Sequence, residues 1–221
     1  DIAHGSKLSG IAPDEPQRDG YQFVGWNTDR NASSALDDYA ITGDVTLYAV
    51  WKANSYTVYF NANGGEGTMG EMTFAYDEEK NLNPNTNIVT RTGYTFAGWA
   101  RDKGAKEIEY ANGASVINLT AADGGKVTLY AVWRANTYTV TFNPNYEGDT
   151  GSMSDMTFTY GTAQNLSANA FTRTGYTFAG WATEEDATEA KYENGESVSN
   201  LTTENGGRVT LYAVWTANTY T

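Results

Sequence analysis

Asn143, Asn145, Glu147 and Gly148 fall at positions one, three, five and six of a calcium-type loop, where oxygen donors alternate and a glycine permits the sharp turn. Position twelve is Ser154, where such a loop needs a bidentate glutamate, and the related passage offers only Asn61, Asn63 and Gly65. The pattern therefore reads as a turn-forming loop rather than a metal centre. Glu184-Glu185-Asp186 supplies carboxylates, but glycosidase chemistry needs two of them held across a cleft at a defined separation. The matching segment is Asp102-Lys103-Gly104, so the set is not part of a shared design and reads as a solvated acidic loop. His4 would need a positioned nucleophile and an orienting acid to act in catalysis; it reads as a surface residue. The remaining candidates are aromatic. Tyr146 and Tyr192 lie in polar turn sequences and are expected to be exposed, as platforms for a sugar face or anchors for a partner protein. Trp99, Trp133, Trp181 and Trp215 sit in apolar, strand-like runs and are expected to be buried.

The elements that carry these residues are repeated. Thr90-Arg91-Thr92-Gly93-Tyr94-Thr95-Phe96-Ala97-Gly98-Trp99-Ala100 recurs letter for letter from Thr172 to Ala182, and Val127 to Trp133 recurs from Val209 to Trp215. A looser copy runs through Gly20 to Trp26 and Val45 to Trp51, so the 6 tryptophans fall two per repeat. Repeats of this length exceed those of solenoids, and each is expected to own a separate small core. The sequence divides into a shortened repeat at 1–53, full repeats at 54–135 and 136–217, and the opening of a further one at 218–221.

Within a repeat, Tyr138 to Asn143 and Met156 to Tyr160 alternate apolar and polar residues, as the two strands of a hairpin do. Tyr176 to Trp181 reads as the next strand, and Ser197 to Thr202 as a short strand or a single helical turn. Val209 to Trp215 is nearly continuous in apolar residues and is placed centrally in the sheet. Lys103 to Tyr110 is the best helix candidate, interrupted by Gly104. The fold class is β-rich α+β, with at most one small helix per repeat. The first repeat lacks an obvious opening strand, which leaves an exposed sheet edge open to pairing or strand swapping.

Four residues join successive repeats, Lys52-Ala53-Asn54-Ser55 and Arg134-Ala135-Asn136-Thr137, without glycine or proline. Such joints do not behave as flexible linkers. Three beads of this size in line would span roughly 90 Å, and a semi-rigid rod is the expected arrangement.

The 221 residues contain no cysteine, which excludes disulfides, thiol nucleophiles and thiolate metal sites. Formal charge is −13, shared among the three repeats as −4, −2 and −7. An acidic surface argues against nucleic acid and anionic lipid as partners. No apolar run approaches the ~18 residues of a membrane span, so direct insertion is not expected.

The combination of Tyr138 to Asn143, Thr172 to Trp181 and Val209 to Trp215 resembles the Listeria–Bacteroides repeat, the B-repeat of internalin-type surface proteins. The resemblance covers the second and third repeats almost end to end and the first in part. It implies a small β-grasp-like fold, repeated as a stalk or adhesive array in a secreted or wall-anchored bacterial protein. It implies no catalytic residues and no cofactor. The glycosylation patterns at Asn31, Asn118, Asn165 and Asn200 are incidental in such a protein. The sequence thus predicts a non-enzymatic stalk or adhesion segment on the bacterial cell surface or wall. Its partners would be further copies of the repeat, with weak multivalent contacts to host or bacterial surface proteins or glycans. The alternative is a glycan- or mucin-binding module with one aromatic site per repeat, for which Tyr146 and Tyr192 are the ligand-binding candidates.

Overall fold

A computed structural model describes residues 3–11, 13–148 and 150–220. The first repeat contributes β1 (Ser6–Lys7), β2 (Tyr21–Asn27), β3 (Ala40–Ile41) and β4 (Tyr48–Ala53). The second contributes β5 (Ser55–Asn61), β6 (Met72–Ala75), β7 (Lys80–Asn81), β8 (Tyr94–Ala100), β9 (Ser115–Val116) and β10 (Gly125–Ala135). The third contributes β11 (Thr137–Asn143), β12 (Met156–Thr159), β13 (Gln164–Asn165), β14 (Tyr176–Ala182), β15 (Ser197–Val198) and β16 (Gly207–Ala217). The chain forms two compact units. One comprises Asp1–Asn63, Gly67–Val89 and Gly98–Ala131; the other comprises Gly64–Glu66, Thr90–Ala97 and Val132–Thr221.

The main sheet of the third repeat has the order β12-β11-β16-β14. β11 and β12 form the expected antiparallel hairpin, running from Thr137 opposite Thr159 to Val140 opposite Met156. β16 lies parallel to β11, with Tyr138 opposite Gly207 and Asn143 opposite Tyr212. Parallel pairing requires a long crossover, and the crossover here holds β14 and the small β13·β15 ladder. β16 has a paired strand along each edge, and its near-continuous apolar run buries Leu211, Ala213 and Val214. The second repeat has the same order, β6-β5-β10-β8.

The core of the third repeat is built around Trp181, which is fully buried between Phe142 and Phe178, each at a ring distance of 4.9 Å, with Phe171 at 6.1 Å. Tyr138 stacks on Phe158 at 5.6 Å beside it. Edge-to-face and offset contacts of this kind add to the stabilisation from area burial. In the second repeat Trp99 takes the same place, 4.9 Å from Phe60. A glycine precedes each of these tryptophans because the backbone that follows the next loop crosses it closely. A Cβ on Gly180 would lie 2.5 Å from the Tyr192 carbonyl oxygen, and one on Gly98 would lie 2.6 Å from that of Tyr110. The approach lets the Trp181 amide donate to Tyr192 at 2.8 Å and the Tyr192 amide donate back at 3.0 Å. Burial expected of the four tryptophans is met in full by Trp99 and Trp181. Trp133 and Trp215 are half-buried, and the Trp215 indole N–H donates to the Pro144 carbonyl at 2.8 Å.

The β-rich reading holds, but its α component does not. Among the described residues the one helical segment is a 3-10 turn, Leu8–Gly10, and the fold is all-β. Lys103 to Tyr110 forms turns because its polar groups are committed elsewhere. The Gly104 amide donates to the Asp102 carboxylate at 2.8 Å, and the Glu109 and Tyr110 amides donate to the Trp99 carbonyl at 2.8 and 2.9 Å. Those amides are then not available for i→i−4 bonding. Ser197–Val198 is a short strand. In the first repeat, β4 pairs antiparallel with β2, as β16 does with β14, and no strand among the described residues lines its other edge.

Candidate functional site

The residues singled out in the sequence do not gather into one site. Tyr146 is 45% exposed, with the Arg173 guanidinium 4.7 Å from its ring centre. Tyr192 departs from the expected exposure: it is half-buried against the Trp181 core, fixed there by the paired backbone bonds that close the acidic loop. His4 and Glu184, Glu185 and Asp186 are exposed. Asn143 and Asn145 form a turn. The Asn143 side-chain oxygen accepts the Asn145 backbone amide at 2.7 Å, and the Asn145 side chain donates to the carbonyls of Glu185 at 2.8 Å and Ala213 at 3.2 Å. Asn145 adopts a positive φ of 52°, a conformation asparagine tolerates because its short side chain bonds locally. Asn61 and Asn63 repeat the device, with the Asn63 side chain donating to Lys103 and Ala131.

The most elaborate polar geometry lies instead at the joints. Asn54 and Asn136 are 9% and 7% exposed, unusual burial for an amide side chain; every polar group of Asn136 is hydrogen-bonded, whereas the side-chain oxygen of Asn54 has no hydrogen-bond partner among the described residues. The Asn136 amide N–H donates to the Gly93 carbonyl at 2.9 Å, and its carbonyl accepts the Tyr160 amide at 2.8 Å. Its side-chain NH2 donates to the Thr203 carbonyl at 2.7 Å, while its side-chain oxygen accepts the Thr95 hydroxyl at 2.7 Å. Asn54 repeats three of these bonds, to Gly20 at 2.8 Å, from Tyr76 at 2.8 Å and to Ala121 at 2.7 Å. Each asparagine thus ties the preceding repeat's β2 or β8 entrance to the following repeat's hairpin and last loop.

A tyrosine closes each joint. The ring of Tyr160 lies across Gly93 and meets Tyr94 edge-to-face at 5.8 Å and 74°. Tyr76 lies across Gly20 in the same way and meets Tyr21 at 5.8 Å and 75°. Tyr94 and Tyr21 also carry the guanidinium groups of Arg91 at 3.9 Å and Arg18 at 3.7 Å over their rings, in cation–π range. The turn that presents each tyrosine is itself braced. The Asn118 side chain bonds both the amide and the carboxylate of Asp77, at 2.6 and 2.7 Å, and the Asn200 oxygen accepts the Gly161 amide at 2.6 Å. Two of the glycosylation-pattern asparagines are therefore structural props of the joints.

The first joint carries an electrostatic element that the second lacks. Tyr21 donates its hydroxyl to the Asp77 carboxylate at 2.7 Å. Hydrogen bonds from Asn118 and then Tyr21 hold the Asp77 carboxyl below its ordinary range, and the bond to Asp77 raises the Tyr21 phenol. In the second joint Gly161 stands where Asp77 does.

Sequence reasoning identified the joints as short but missed the side chains that lock them. The signal was the recurrence of Ala-Asn-Ser/Thr-Tyr at 53–56, 135–138 and 217–220, and of a tyrosine two residues after Phe74 and Phe158.

A family model of the Listeria-Bacteroides repeat domain matches residues 2–50, 56–132 and 138–214, so the match takes in most of the chain as three tandem copies. The chain belongs to the Listeria–Bacteroides repeat family. Two proteins of Evansella cellulosilytica, whose names describe a Gly-rich membrane protein and a membrane protein, are 32% and 31% identical over 92% and 94% of this chain. Internalin H of Listeria monocytogenes is 32% identical over 62% of it. The chain spans only 22%, 28% and 23% of these relatives, so the similarity concerns a repeat segment of each. Among the described residues no helix of this Listeria–Bacteroides repeat chain is long and apolar enough to cross a membrane.

Proposed function

We propose that this chain is a non-enzymatic stalk and adhesion segment of a bacterial cell-surface protein, made of β-grasp-like repeats in a semi-rigid rod. The observation that carries the reading is the buried asparagine at each joint, bonded to both repeats it connects. A hinge would leave such groups to water; a buried asparagine with three partners at the first joint and four at the second resists bending, because each lost bond leaves a desolvated polar group. The β-grasp reading is supported by a hairpin whose first strand pairs parallel with the last strand of the repeat. The surface location is supported by the membrane-protein and internalin names of the relatives. The chain would hold other parts of its parent away from the cell and add weak contacts to host or bacterial surface proteins or glycans, which repetition multiplies.

A second reading has one observation in its favour. Tyr146 is an exposed ring with a cation beside it, a fit platform for a sugar face in a glycan- or mucin-binding module. Binding of the chain and of a crosslinked multimer to mammalian cells, bacterial cells and immobilised mucins separates the two. Binding by the multimer alone supports multivalent adhesion, binding by the single chain supports a defined site, and binding by neither leaves a spacer.

A further inference from the structure

The half of the joint that receives a tyrosine occurs three times in the chain, and its third copy is fully assembled. Arg173 lies 3.7 Å from the ring centre of Tyr176, as Arg18 does over Tyr21 and Arg91 does over Tyr94. The Asn218 amide donates to the Gly175 carbonyl at 2.9 Å, and the Thr177 hydroxyl donates to the Asn218 side-chain oxygen at 2.7 Å. These bonds match those of Asn136 with Gly93 and Thr95, at 2.9 and 2.7 Å. The backbone is set as well, with φ of 78° at Gly175 against 74° at Gly93 and 76° at Gly20. What differs is the space above the glycine. Tyrosine rings cover Gly93 and Gly20, whereas nothing lies within 4 Å of a Cβ position on Gly175. Tyr176 is correspondingly open, at 37% exposure.

From this we infer that Gly175, Tyr176 and the Arg173-backed ring form a docking face for the tyrosine-bearing turn of another Listeria–Bacteroides repeat. The occupant is a repeat entered through Asn218-Thr219-Tyr220, which reproduces Asn136-Thr137-Tyr138. Its tyrosine is the one two residues beyond the phenylalanine of its hairpin, as Tyr76 follows Phe74 and Tyr160 follows Phe158. The face accepts either turn type already seen, Tyr-Asp as at Tyr76-Asp77 or Tyr-Gly as at Tyr160-Gly161. Where the turn brings an aspartate, the Tyr176 hydroxyl can donate to it, as Tyr21 does to Asp77. A bare glycine flanked by a cation-backed tyrosine is thus an acceptor that a repeat, rather than an unrelated ligand, fits. The inference stands apart from whether the array serves at a cell surface, because it concerns how one repeat recognises the next.

The test is the full chain with residues 136–217 appended after Ala217, compared by NMR with the 221-residue chain. A ring seated on a glycine shields its Hα protons. In the 221-residue chain the Hα signals of Gly20 and Gly93 are expected well upfield and those of Gly175 at an ordinary position. In the extended chain Gly175 is expected to move upfield to match Gly93, and to return when the appended copy's counterpart of Tyr160 is changed to alanine. A Gly175 signal that stays at its ordinary position in the extended chain, whatever the state of the appended repeat, overturns the inference. So does a shift that survives the tyrosine-to-alanine change.

Discussion

Tyr160 lies so close across Gly93 that a Cβ there would sit 2.3 Å from two of its ring carbons. The pair explains why a Gly-Tyr dipeptide opens β2, β8 and β14 alike: the glycine admits a ring and the tyrosine meets its edge. It also ties the repeated sequence to repeated docking as well as to repeated cores.

Gly93→Ala and Gly175→Ala are therefore expected to differ although their local sequences are identical. Both place a side chain at positive φ, which costs on the order of 1–3 kcal/mol. Only Gly93→Ala must also displace Tyr160, adding about 0.5–1.5 kcal/mol from the lost ring contact. Thermal or denaturant unfolding of the two variants reads the difference, and equal losses would mean that the Tyr160 contact contributes nothing.

Asn136→Ala removes the side-chain bonds to Thr203 and Thr95 at a buried position. A loss of about 1–3 kcal/mol is expected, since the Thr203 carbonyl is left without its donor. Hydrogen exchange of the Tyr160 amide, which donates to the Asn136 carbonyl, should quicken relative to amides deep in β16. Unchanged exchange would show that the joint is held by other contacts.

The first joint should weaken in acid and in strong base. Asp77 has a lowered pKa when folded, so its contribution is present above the unfolded carboxylate value of ~3.9 and is lost as pH falls through the folded one. Tyr21 has a raised pKa, so its contribution is present below ~10 and is lost as pH rises through the folded value. Asp77→Gly, which copies the Gly161 turn, should abolish both dependences as read by NMR of Gly20 against Gly93. Persistence of the acid effect in that variant would assign it to another group.

Tyr146→Ala and Tyr192→Ala separate surface from core. Tyr192→Ala is expected to destabilise the third repeat by about 3–5 kcal/mol at most, the range for removing a large buried aromatic, because its partly buried ring packs on the Trp181 cluster. Tyr146→Ala should change stability by less than about 1 kcal/mol and alter only any binding to glycans or mucins. If Tyr146→Ala unfolds the repeat, its ring is structural and the glycan reading fails.

The hairpin, the central last strand and the full burial of Trp99 and Trp181 were legible because alternation and apolar continuity follow directly from which faces are covered. The exposure of Tyr192 was misjudged because Glu193-Asn194-Gly195 marks a turn without revealing that Gly180 draws the preceding backbone against Trp181. The helical reading of Lys103 to Tyr110 failed for a related reason: long-range bonds to Trp99 claim its amides, and periodicity cannot see them. Asn54 and Asn136 were hidden most completely. An asparagine between two strands reads as a loop residue, and only three-dimensional proximity shows it buried between repeats.

Small-angle scattering of the 221-residue chain tests the stalk most directly. Three repeats in line over roughly 90 Å give a radius of gyration of about 27 Å, against about 17 Å for a globule of this length. The former is expected, with little change between low and high salt because Asn54 and Asn136 are buried at the joints. A value near that of the globule would contradict it.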